Sequence, residues 1–163
     1  MAGSACSPAS ANIPTVLRIN DTVELIGAGR IAWHNDEKGR EMAEQTRDLV
    51  CMITRGTDHE LSSVGFTIAN GGLTAGLKVS IFLSSSGVDL VRKRATDTTQ
   101  VNPLDPLSKL IADFLARGGV IWACTPCVKA RGYTESDLLD GVIISGASVM
   151  HEKIKGGAAT LTF

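Results

Sequence analysis

The chain has 163 residues, of which 44% are hydrophobic and 20% charged, with a formal net charge of −1. That length and composition fit one soluble globular domain with a sizeable core. A near-neutral balance removes the electrostatic case for nucleic acid or an anionic membrane surface. Aromatic residues make up only 4%, which leaves little for stacking on single strands, and no stretch is long and apolar enough to span a bilayer.

The first ten residues, Met1-Ala2-Gly3-Ser4-Ala5-Cys6-Ser7-Pro8-Ala9-Ser10, are small and polar. They lack the basic start and apolar core of a secretory signal, and the arginines of a transit peptide. A disordered tail and a cytoplasmic setting are expected. Four cysteines in such a chain do not make a disulfide scaffold, so the thiols are read as mostly reduced. Val16–Ile19 and Thr22–Ile26 read as two short strands around the turn dipeptide Asn20-Asp21.

Gly27-Ala28-Gly29-Arg30-Ile31-Ala32 fits the dinucleotide pattern G-x-G-x-x-A after a strand-like segment. Trp33-His34-Asn35-Asp36 breaks any apolar helical face, however, and no acidic residue closes a second strand. The segment is read as a turn, and no cofactor is expected. Asp36–Arg47 is a surface helix or a connector. Residues 1–47 thus form an N-terminal extension, and residues 48–163 the main domain.

From Asp48 the pattern sharpens. Leu49-Val50-Cys51-Met52-Ile53 is an apolar run suited to a strand buried on both faces, with Cys51 in the core. Leu61, Val64, Ile68 and Ala75 recur at helical spacing. Glycines 71, 72 and 76 weaken that helix but allow close packing on a sheet. Val79–Leu83 is the next strand and ends in a serine-rich turn into Gly87. Residues 92–105 read as a loop. Pro106–Arg117 is an amphipathic helix with Asp105 as its cap, Pro106 at its first position and Gly118 as its stop.

Val120–Ala123 is a third core strand. Thr134 and Asp137 have the spacing of a capping box. Val142–Ile144 is a strand, Ala147–Lys155 a short helix and Ala159–Phe163 a closing strand. Strands alternating with helices predict an α/β fold with a mostly parallel five-stranded sheet and helices on both faces. No repeat of fixed period is present.

The chemistry-bearing stretch is Val120-Ile121-Trp122-Ala123-Cys124-Thr125-Pro126-Cys127-Val128-Lys129-Ala130-Arg131-Gly132. A strand feeds directly into C-x-x-C, which puts Cys124 where a helix begins. Free N–H groups and the helix dipole favour thiolate there, and Lys129 and Arg131 push the same way. Cys124 is accordingly expected to be partly exposed and the more acidic of the pair, with Cys127 one turn in as a resolving thiol. Both cysteines also fit small core residues or a redox pair. A zinc site is not expected, because there is no second cysteine pair and His34, His59 and His151 are scattered. His59 and Glu60 fall at the same sheet edge as Cys124, as acid–base groups or as loop residues.

The block from Leu49 to Phe163 resembles the DsrE/DsrF-like family of sulfur-relay proteins, which includes the TusD-type subunits. The resemblance rests on the opening strand followed by Arg55-Gly56-Thr57-Asp58, and on Val79–Leu83 leading to Gly87-Val88. It rests also on the cysteine segment followed by Arg131-Gly132, and on Gly146-Ala147 through a short helix to Thr160-Leu161-Thr162-Phe163. It implies a three-layer α/β/α domain and a homo-oligomer, a trimer or a hexamer. It further implies sulfur-donor and sulfur-acceptor proteins as partners, and a persulfide carried on Cys124 with Cys127 as the second thiol. The turn Ser84-Ser85-Ser86-Gly87 departs from the family, which often has an acidic residue before that glycine. Three functions remain open: a sulfur carrier or sulfurtransferase-like protein, a thiol–disulfide redox protein cycling Cys124 and Cys127, or a non-enzymatic oligomeric subunit.

Overall fold

The computed structural model of the chain describes residues 48–163 and two short strands nearer the amino terminus, β1 (Arg18–Ile19) and β2 (Thr22–Val23). These pair antiparallel, Arg18 with Val23 and Ile19 with Thr22, as the expected strand pair does. The expected tail with Cys6, the G-x-G-x-x-A segment, His34 and the segment 36–47 lie outside the described residues.

The main sheet has five strands: β3 (Asp48–Ile53), β4 (Lys78–Leu83), β5 (Val120–Cys124), β6 (Val142–Ser145) and β7 (Ala159–Thr162). Their order is β6-β5-β4-β3-β7, and every neighbouring pair is parallel. The apolar runs dictate this, because a strand buried on both faces needs helices above and below it. Residues alternate between faces along a strand. Leu49, Cys51 and Ile53 therefore lie in register beside Val79, Ile81 and Leu83 on one face, and Ile121 and Ala123 of β5 extend that face.

Helix α1 (Glu60–Thr74) covers this face, and its glycines explain how closely. A methyl group on Gly65 would meet Ile53 Cδ1 at 2.8 Å, and one on Gly72 would meet Val79 Cγ2 at 2.9 Å. Phe66 of α1 meets Phe114 of α2 (Leu107–Ala116) edge to face, ring centres 6.1 Å apart. The opposite face takes α4 (Ser148–Lys155), whose Lys153 Nζ reaches Asp48 Oδ2 at 3.1 Å. The strand order accounts for the division. Steps from β3 to β4 to β5 run one way, so right-handed crossovers stack α1 and α2 together; the return from β6 to β7 puts α4 on the other side.

Two local expectations change. Asp105 does not cap α2: the helix starts at Leu107 with Pro106 at the cap position, one residue too late for Asp105, which instead pairs with Lys109 at 3.1 Å. The serine-rich turn is longer than expected, continuing as a 3₁₀ helix over Ser85–Val91. The box of Thr134 and Asp137 does form, around a 3₁₀ turn at Glu135–Asp137, with Thr134 N–H donating to Asp137 Oδ2 at 2.8 Å. No helix among the described residues is long and apolar enough to cross a membrane.

Candidate functional site

Parallel strands end together, so the loops after β3, β4 and β5 converge on one edge of the sheet, where open α/β folds gather their chemistry. The serine turn after β4 is laid directly on the end of β3. A methyl group on Gly87 would stand 2.4 Å from the Ile53 carbonyl oxygen, so only glycine fits. Ser84 N–H donates to that same oxygen at 3.1 Å, and Ser86 Oγ donates to the Thr54 carbonyl at 3.0 Å. Ser85 has φ of 52°, in the left-handed region that non-glycine residues rarely occupy. Held this way, Ser85 N–H donates to Cys127 Sγ at 3.2 Å, and Ser84 Oγ lies 3.8 Å from the same sulfur.

Cys124 is the last residue of β5, paired with Ser145 of β6, and the cap residue of α3 (Thr125–Ala130). Strand end and helix start are where the sequence puts it. Partial exposure is not found: only 9% of the residue is accessible, and its side chain belongs to the hydrophobic core. It completes no side-chain cap bond to α3. Cys127, one turn on, is half-buried.

The expected order of acidity is reversed. Burial pushes the Cys124 thiol up; the Cys127 N–H and Ser84 favour its thiolate, but the neighbouring Cys127 sulfur opposes it. Burial also works against ionising Cys127. The Cys124 S–H, the Ser85 N–H, the Ser84 hydroxyl and the Arg131 charge together outweigh it and bring Cys127 below the ordinary thiol value. When the pair loses its first proton, the anion therefore sits on Cys127 and the remaining proton on Cys124. The physical reason is that α3 has only six residues and contains Pro126, which has no N–H. Besides the Cys124 thiol, the donors to Cys127 come from another element, the turn after β4.

A small polar network flanks the pair. Arg131 Nε contacts Asp89 Oδ1 at 2.9 Å, and its Nη1 donates to the Cys127 carbonyl at 3.3 Å. Tyr133 O–H donates to Asp89 Oδ1 at 2.9 Å. Asp89, Tyr133, Ser84 and Ser85 were not singled out as site residues from sequence; the departure of Ser84-Ser85-Ser86 from the family turn was the available signal. Lys129 sits exposed in the last turn of α3.

His59 is brought to the same edge but is used locally: its Nδ1 accepts from Leu61 N–H at 3.2 Å and caps α1, which Glu60 begins. Cys51 is fully buried in β3, and burial pushes its thiol up to about 11. Among the described residues no three His, Cys, Asp or Glu side chains come together to hold a metal ion. A depression of about 220 Å³ lined by Arg94, Thr96, Asp97, Ser108 and Asp140 contains neither cysteine.

Several proteins share this architecture. The chain is 30% identical over 135 residues to the uncharacterized protein MJ0760 of Methanocaldococcus jannaschii, spanning 81% of this chain but only 48% of that protein. It is 31% identical over 99 residues to MJ0989 of the same organism, covering 61% of this chain and 79% of that one. Among solved structures, the ychN protein from E. coli superposes with a TM-score of 0.61 at 17% identity, over 72% of this chain and 100% of the other. The protein of unknown function MTH1491 from Methanobacterium thermoautotrophicum gives 0.55 at 21% identity, over 71% and 98%. These two structural likenesses concern the fold. The model of the DsrE/DsrF-like family matches residues 48–163, the whole α/β domain with the C-x-x-C edge, and the chain belongs to that family.

Proposed function

We propose that the protein is a sulfur carrier, sulfurtransferase-like in its chemistry, that accepts sulfane sulfur as a persulfide on the Cys124/Cys127 pair and hands it to an acceptor protein within the cytoplasm. Family membership supplies the class of chemistry. The observation that carries the reading is the sulfur of Cys127 accepting the Ser85 N–H at 3.2 Å beside a second thiol. Such a donor stabilises the thiolate that makes the attack. A thiolate at this edge attacks the outer sulfur of a donor persulfide, forming a new S–S bond while the donor leaves as a thiolate.

By position, the resemblance assigns the persulfide to Cys124. Intact mass after incubation with inorganic polysulfide tests the reading: a gain of one sulfur atom on the protein supports it. A loss of two hydrogens in the wild type, with no sulfur gained by either single cysteine variant, favours the second reading, a thiol–disulfide redox protein, which the proximity of the thiols also fits. Self-association as a trimer or hexamer is proposed on the same family likeness, and light scattering at micromolar protein reads it directly; a monomer refutes it.

A further inference from the structure

We infer that the two thiols act in the reverse of the order their positions suggest: Cys127 is the nucleophile that accepts sulfur, and Cys124 is the resolving thiol that acts second. The inference rests on the sulfur-carrier reading and assigns its residues.

The first observation is the donor. Ser85, with φ of 52°, directs its N–H at Cys127 Sγ from 3.2 Å, whereas the Cys127 N–H, which acts on Cys124, falls short of a cap bond to that side chain. The second is access. Cys127 is half-buried, while Cys124 is 9% exposed and packed in the core. An incoming persulfide therefore meets Cys127 first. The third is the proton. The groups acting on Cys127 are the Cys124 thiol, the Ser84 hydroxyl, the Ser85 N–H and the Arg131 guanidinium, and each favours its anion. Cys124, buried beside that anion, keeps its proton.

The chemistry balances in this order. Cys127 thiolate attacks the outer sulfur of a donor persulfide; the donor S–S bond breaks, and the donor departs as a thiolate with the electron pair. The loaded Cys127 then has two fates. An acceptor thiolate can take the outer sulfur and restore Cys127. Alternatively Cys124 attacks Cys127 Sγ, so that the outer sulfur leaves as hydrogen sulfide with the proton of Cys124. The two cysteines are then oxidised to a disulfide and the sulfane sulfur is reduced; a dithiol reductant resets the pair. A protonated Cys124 is a poor nucleophile. Its burial therefore delays the second fate and lengthens the time in which an acceptor can collect the sulfur.

The test uses the full-length protein with limiting iodoacetamide at pH 6.5, followed by peptide mapping of the first thiol modified. Cys127 is expected to be modified before Cys124, because its sulfur is the more accessible of the two and accepts the Ser85 N–H. Inorganic polysulfide is then applied to two variants. Cys127→Ser should gain no sulfur. Cys124→Ser should gain one sulfur and hold it with at least roughly a tenfold loss of sulfide release, because the resolving attack is gone. Wild-type labelling needs no variant to fold. Labelling of Cys124 ahead of Cys127, or sulfur loading of Cys127→Ser at the wild-type rate, overturns the inference. Labelling of Cys127 first with no sulfur gained by any form overturns the sulfur-carrier reading and the acceptor role with it, leaving Cys127 as the leading thiolate of a redox pair.

Discussion

Replacing Gly87 by alanine is the substitution through which fold and site are tested together. The added methyl would stand 2.4 Å from the Ile53 carbonyl oxygen and 3.1 Å from its carbon, and 3.6 Å from Thr54 Cα. All three are backbone atoms at the carboxyl end of β3, so no side chain can swing aside. Carbon and carbonyl oxygen rest at about 3.3 Å or more, so the turn must lift by about 0.9 Å. That displacement strains the Ser84 N–H bond to Ile53 and the Ser86 Oγ bond to Thr54, at 3.1 and 3.0 Å. It also strains the Ser85 N–H bond to Cys127 Sγ at 3.2 Å. Overpacking of this kind costs about 1–3 kcal/mol, and one weakened backbone bond adds about 1 kcal/mol. With a urea slope of about 2 kcal/mol/M, the midpoint should fall by roughly 1–2 M. In the same variant, alkylation of Cys127 at mildly acidic pH should slow, because its donor has moved. A loss below about 0.5 kcal/mol with unchanged labelling of Cys127 would refute the account of the turn.

Gly71 supplies the opposite case: it lies inside α1 with nothing within 4 Å of an added methyl, so Gly71→Ala should raise stability by about 0.5–1 kcal/mol in thermal melts. Cys51 predicts an alkaline loss of stability. Its thiol ionises at about 11 in the folded protein against 9.0 in the unfolded chain, so its contribution is complete below pH 9 and is lost as pH rises towards 11. Denaturation at pH 7 and pH 10.5 should show wild type losing about 2 kcal/mol more than Cys51→Ala; equal losses would remove the burial argument. Raising salt from about 0.1 to 1 M shortens the screening length from about 10 to 3 Å, yet should move the alkylation midpoint of Cys127 by less than about 0.3 pH units. A larger upward shift would make the Arg131 charge, rather than the serine donors, the cause.

The α/β domain was legible because its signals are local and agree with one another. Apolar runs bounded by glycine marked β3 to β5, and the stripe Leu107, Leu110, Ile111, Phe114 and Leu115 marked α2, the first four of these side chains being buried and Leu115 partly so. Of glycines 71, 72 and 76, only Gly72 packs on the sheet, against Val79 and Leu49, joined by Gly65 against Ile53; Gly71 faces open space and Gly76 lies beyond the end of α1. Asp105 shows the limit of such reading: a helix start displaced by one residue turns a cap into a surface ion pair. The strand order β6-β5-β4-β3-β7 is not written in any window of sequence, since pairing depends on which crossover reverses. The cysteine edge shows both sides. C-x-x-C at a strand end was visible, and so was its placement beside the loop after β3. The order of the thiols was not, because it depends on an N–H 42 residues upstream in the chain.

Why a neutral donor should outrank a cation follows from the pairing around Arg131. Its guanidinium lies 2.9 Å from Asp89, and both side chains are about 30% exposed, so much of its field is cancelled by the carboxylate and the remainder screened by water. The Ser85 N–H has no such compensation. It is held by bonds that join the turn to β3, and it acts at contact distance on the sulfur. The thiolate of Cys127 therefore depends on three adjacent strands being in register: β3 supplies the platform, β4 the turn and β5 the cysteine helix. None of this exists in the unfolded chain, where the thiols return to ordinary values. Reactivity is thereby coupled to the folded sheet, so an unfolded or partly assembled chain would be a poor sulfur acceptor even with both cysteines intact.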